Sequence, residues 1–141
     1  MLEQATLTRG WSVEGFRMFW SNPDPALVPR IREINTDDIV GYWPKPIGKV
    51  QGGASYIAVI DAILKVCPDL TMTADDYAHS GDLHFVRWVA SGSGPDGRFE
   101  FNGIDRIRTL ADGRVCENYI CSDGDLFARV AADLRAERSR S

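Results

Sequence analysis

The chain has 141 residues, 44% hydrophobic and 26% charged, with a formal net charge of −4. That size and balance describe one soluble domain able to bury roughly two thirds of its unfolded surface without disulfide or metal support, and the negative charge argues against nucleic acid as a partner. Cys67, Cys116 and Cys121 are odd in number and spaced for neither a disulfide framework nor zinc, so a cytoplasmic protein with reduced thiols is expected; no run approaches the ~20 apolar residues of a membrane span, and MLEQATLTRGW lacks the apolar stretch expected of a signal peptide.

Ser12 stands where an N-cap would, before Val13, Phe16, Phe19 and Trp20 at helical spacing, so a first helix is expected over 13–21, ended by NPDP. A second helix is expected over about 26–35 and a short strand over 38–43. Pro44 and Pro46 then force a loop through PKPIGKVQGG. A third helix over about 54–66 buries Ile57, Ile60, Ile63 and Leu64, and Pro68 stops it. Four strands follow, over about 70–78, 83–91, 98–110 and 114–122, and from Asp125 onward a C-terminal helix or partly ordered tail. Helices first and an antiparallel run afterwards predict an α+β fold, with helices on one face of a curved sheet and a concave cavity between.

Within GIDRIRTLADGRVCENYICSD, Asp112-Gly113 reads as a two-residue type I′ turn. Leu110 then opposes Val115, Thr109 opposes Cys116, Arg108 opposes Glu117, Ile107 opposes Asn118, and Asp105 opposes Ile120. Alternation puts Phe99, Phe101, Gly103, Asp105 and Ile107 on one face, with Asn118 and Ile120 beside them. A carboxyl group on an apolar face is costly unless it is bonded or protonated, which marks Asp105 as a candidate functional group.

On the strand before it, His84, Val86, Trp88 and Ala90 turn inward because Arg87 belongs outside. One of about three possible registers sets Ala90 opposite Phe99, and so His84 opposite Asp105. Gly103 would leave room for a ligand. GKVQGG lacks P-loop spacing, and there is no GxGxxG or GxSxG. His79, His84, Asp75, Asp76 and Asp82 fit no standard metal pattern. No cofactor and no metal are therefore expected.

The stretch GIDRIRTLADGRVCENYICSD, with GYWPKPIG followed by Gly52-Gly53 and a helix, resembles the SnoaL-like polyketide cyclases and ketosteroid isomerases, which share the nuclear transport factor 2 fold. The resemblance spans about residues 12–127, with 128–141 as a C-terminal helix or tail. It implies a single domain, a cone-shaped barrel of strongly curved, mostly antiparallel sheet wrapped around N-terminal and central helices. Asp105 falls where the family's oxyanion-binding Asp stands. Phe16 stands in place of the family Tyr, Trp43 in place of the base Asp, and Asn118 in place of the His common in cyclases. Steroid double-bond isomerisation by the usual apparatus is not expected.

The functional expectation is a cofactor-independent enzyme that moves a proton in an enclosed acid/base site. Its reaction would be of isomerase, cyclase, dehydratase or lyase type, on a small hydrophobic cyclic or aromatic carbonyl compound. Asp105 is either the proton-transfer group, its pKa raised by burial, or the group that orients His84 as base, and Asn118 holds the carbonyl or oxyanion. Trp43, Trp88, Phe16, Tyr56, Phe101 and Ile120 would wall the pocket. The alternative is a non-catalytic small-ligand-binding or dimeric adaptor protein. A homodimer is expected through the outer sheet face, where Phe85, Val89, Ile104 and Tyr119 lie among Arg87, Arg106 and Arg108; neither nucleic acid nor membrane is an expected partner.

Overall fold

The structure is a computed structural model, and it describes residues 10–140. Helix α1 (Val13–Ser21) begins as expected, with Ser12 Oγ accepting from Gly15 N at 3.0 Å. The segment expected as a second α-helix is a 3-10 helix, Pro25–Ile34, capped by Asp24. Pro29 lies inside it, and a proline there removes an α-helical donor. Strand β1 (Asn35–Trp43) follows, and β2 (Gly48–Gln51) occupies part of the expected loop. A four-residue strand is too short for its periodicity to be read. Helix α2 (Gly53–Val66), β3 (Thr71–Ser80), β4 (Leu83–Gly94), β5 (Gly97–Thr109), β6 (Val115–Ser122) and α3 (Leu126–Arg140) complete the chain. No helix of the described residues is long and apolar enough to cross a membrane.

The fold is α+β, with one six-stranded sheet in the order β2-β1-β6-β5-β4-β3. All neighbours are antiparallel except β1 and β6. β2 and β3 are free edges, so the sheet is open and the expected barrel closure is not formed. Helix α2 packs on β1 and the 3-10 helix, α3 packs on α2, and α1 packs on β3. The sheet face under the helices carries buried Val86, Trp88, Ala90, Ile107 and Ile120, the alternation expected from sequence.

Two registers differ from expectation. In the β5–β6 hairpin Asp112 does not take positive φ, and Gly113 does, at 88°, so a type I′ turn is excluded. Leu110 N donates to Arg114 O at 2.8 Å and Gly113 N to Leu110 O at 2.9 Å. The loop is therefore a three-residue one closed by a glycine bulge, and Thr109 pairs with Val115 rather than Cys116. A second bulge at Cys116 restores the expected pairing, so Arg108 opposes Glu117 and Asp105 opposes Ile120. In the β4–β5 hairpin the strands run up to Gly94 opposite Gly97. The whole ladder is thereby shifted by two residues: Ala90 opposes Phe101, Val86 opposes Asp105, and His84 opposes Ile107.

Candidate active site

Asp105 projects from β5 beneath the helices and is 7% exposed. Its Oδ1 accepts from Trp88 Nε1 at 2.9 Å, and its Oδ2 accepts from Asn118 Nδ2 at 3.1 Å. The same Asn118 Nδ2 donates to Tyr56 Oη at 2.9 Å. Thus β4, β5, β6 and α2 each contribute one side chain to a buried polar chain, Trp88–Asp105–Asn118–Tyr56. Trp88 reaches the carboxylate because it opposes Gly103, where any Cβ would collide with the indole. The space expected to accommodate a ligand beside Gly103 is filled by Trp88. Gly41 plays the matching part on β1, since Trp43 Nε1 and Tyr56 Cε2 each lie 2.8 Å from the position its Cβ would take.

Burial pushes the Asp105 carboxyl up to about 6, against the opposing pull of the Asn118 and Trp88 hydrogen bonds. Burial also raises the Tyr56 hydroxyl, the nearby Asp105 charge raises it further, and the Asn118 hydrogen bond works the other way. Tyr56 is accordingly a neutral donor throughout the range in which Asp105 titrates.

These groups sit in the wall of a partly open cavity of about 880 Å³. Phe16, Trp43, Tyr56, Trp88, Phe101, Asp105, Asn118 and Ile120 all line it, so eight of the nine residues expected from sequence gather there. The ninth, His84, does not meet Asp105. Its Nδ1 is 2.8 Å from Tyr77 Oη, its Nε2 is 3.2 Å from Thr109 Oγ1, and its ring centroid is 4.9 Å from that of Trp11. The two-residue register shift is the cause, and burial followed by the neighbouring His79 lowers the His84 pKa. The expected His84–Asp105 pair is not formed. The Pro95-Asp96 dipeptide before Gly97 was the signal that would have given the correct register, because it fits the centre of a tight turn.

Asn118 is also differently engaged from the expectation. Both hydrogens of its amide are used by Asp105 and Tyr56, and its Oδ1 is buried with no partner. In this orientation it offers an acceptor rather than a donor for an oxyanion. The Tyr56 hydroxyl and Trp88 indole N–H emerge as polar members of the site, having been expected only as walls. Asn35, a lining residue with an unpaired buried Nδ2, was missed because nothing in its local pattern separates it from a helix end. Among the described residues no group of three or more His, Cys, Asp or Glu could share a metal ion.

The family model for the SnoaL-like domain matches residues 13–118. No curated protein matches the sequence. Solved structures similar to this chain include a steroid delta-isomerase from Pseudomonas aeruginosa, at 17% identity and TM-score 0.67, covering 99% of this chain and 96% of that one. A candidate SnoaL-like polyketide cyclase from Jannaschia sp. CCS1 aligns at 21% identity and TM-score 0.67, over 82% of this chain and 86% of that one. An NTF2-like protein of unknown function from Exiguobacterium sp. 255-15 aligns at 17% identity and TM-score 0.66, over 79% and 97%. At these identities the likeness is one of fold.

Proposed function

The chain belongs to the SnoaL-like domain family, and on that footing we propose that it is a cofactor-independent enzyme in which Asp105 moves a proton on a small hydrophobic, cyclic or aromatic carbonyl compound. The observation that carries this reading is a carboxyl group buried in the wall of an apolar cavity and held by two donors, a burial that pushes its pKa up to about 6. Such a group is ionised at neutral pH, yet basic enough to take a proton from carbon and give it back. Isomerase, cyclase, dehydratase and lyase steps all draw on that exchange. The steroid delta-isomerase and polyketide cyclase names among similar structures accord with it, while fold alone does not select among these reactions.

Proton transfer is read without knowing the natural substrate. A panel of cyclic ketones is incubated with the protein in heavy water, and loss of the hydrogens next to the carbonyl is followed by NMR. We expect exchange that rises with pH through about 6 and then levels, because the ionised carboxylate is the base. Asp105→Asn should lower it by roughly 100-fold or more while circular dichroism stays unchanged. Exchange that survives the substitution would rule the reading out, and tight binding of the ketones with no exchange would leave a non-catalytic ligand carrier.

A further inference from the structure

The cavity wall holds a polar group that proton transfer does not use. Asn35 is 5% exposed and lines the cavity, and its Nδ2 is buried with no partner. The residue joins the 3-10 helix to β1, and its backbone N–H donates to Arg32 O. The backbone thus closes the helix end, and the side-chain amide has no capping task. Its neighbours offer it nothing either: Ile34 precedes it, Val115 pairs with it across β6, and both line the cavity as apolar wall. A buried amide donor without a partner is rare enough to require a reason.

Register gives its distance from the carboxylate. Asn35 opposes Val115, and Gly41 opposes Asn118, on the same strand β6. Val115 and Asn118 are three residues apart. At a strand rise of ~3.3 Å, the Asn35 amide therefore lies about 10 Å along the sheet from the Asp105–Asn118 pair. Charge gives the kind of group it suits. Among the described residues, the charged ones lining the cavity besides Asp105 are Asp24 and Arg30. They are of opposite sign and both engaged: Asp24 caps the 3-10 helix, and Arg30 pairs with Glu33 at 3.4 Å. No excess of positive charge awaits an anion, so the amide N–H suits a neutral oxygen acceptor.

We propose that Asn35 is a specificity-determining residue: its side-chain N–H binds a second, uncharged oxygen of the substrate, at the end remote from the carbonyl that lies against Asp105. The proposal rests on the proton-transfer reading above for which end reacts. It narrows the substrate class to two-ended compounds, with a carbonyl at one end and a hydroxyl or carbonyl oxygen about 10 Å away at the other. A compound of the same shape without that second oxygen would leave the amide unpaired in an apolar wall, which is how a buried donor rejects a near-isostere.

The test compares two ketones of equal size, 4-(4-hydroxyphenyl)cyclohexanone and 4-(4-methylphenyl)cyclohexanone, whose para-linked rings carry the two ends. Binding to the native chain is measured by titration calorimetry, which needs no turnover. The hydroxylated ketone should bind roughly 10-fold more tightly, and Asn35→Leu should abolish or reverse that preference, because the hydroxyl then enters an apolar wall with no partner. The free Asn35→Leu protein should melt no lower than the native chain, since no side-chain hydrogen bond within the protein is lost; should it fold poorly, Asn35→Ala carries the same ligand comparison. In the exchange assay Asn35→Leu should raise the half-saturating concentration of the hydroxylated ketone alone, with the limiting rate and its rise through about pH 6 retained. Equal affinity of the native chain for the two ketones, or a preference that persists without the Asn35 amide, would overturn the proposal and leave Asp105 as the proton carrier. Exchange surviving Asp105→Asn would instead remove the proton-transfer reading, with calorimetry still deciding whether Asn35 receives an oxygen.

Discussion

Asp105 has a different proton affinity in the folded and unfolded chain, and that difference has a measurable sign. Burial raises its pKa from 3.8 to about 6, so between those values the folded chain keeps a proton that the unfolded chain has released. Its contribution to stability is full below pH ~4 and lost as pH rises through ~6, the loss reaching about 3 kcal/mol by neutral pH. Asp105→Asn has no such titration. The melting temperature of the variant, relative to the native chain, should therefore climb between pH 4 and pH 7 and be flat outside that window. A constant difference across the whole range would mean that Asp105 ionises as an exposed carboxylate does. At this scale alternation alone made Asp105 and Asn118 legible as inward polar groups. It said nothing about which hydrogen of which neighbour reaches them, so the use of both Asn118 hydrogens and the Trp88 donor came from three-dimensional placement.

At the scale of elements, Gly103 holds the site together by what it lacks. Its missing side chain is where the Trp88 indole lies on its way to Asp105. Gly103→Ala must push Trp88 aside, with an expected loss of about 1–3 kcal/mol in chemical denaturation and a change in tryptophan fluorescence as the indole N–H leaves the carboxylate. Retention of both stability and emission would show that the indole has another way past the strand. The hairpins show what local patterns convey. ADGR was correctly read as a turn but of the wrong type, and the bulge at Cys116 cancelled the error before it reached Asp105. No second bulge corrected β4 against β5, so the assumed register left His84 two residues from its true partner.

For the molecule as a whole, the sheet face away from the cavity exposes Phe85, Ile104 and Tyr119. Between them run the ion pairs Arg106–Glu117, Arg87–Asp75 and Arg108–Asp82. Exposed apolar side chains set among charges suit a second copy of the chain, and light scattering after size exclusion should give a dimer at micromolar concentration. Ile104→Glu should shift it toward monomer without altering the melting of Asp105-dependent structure. A native chain that is monomeric throughout would leave this face as ordinary surface. What the amino-acid sequence determined alone was periodic: where the longer helices and strands run, though neither β2 nor the 3-10 form of Pro25–Ile34, which side each strand residue takes, and hence that an acid and an amide share an apolar face. Such properties depend on near neighbours along the chain. Only the tertiary structure decided that Asp105 meets Trp88 rather than His84, that Tyr56 and Trp43 close over Gly41, and that the sheet stays open. Those outcomes depend on turn geometry and on strand register, where a shift of two residues preserves every inward face while exchanging every partner.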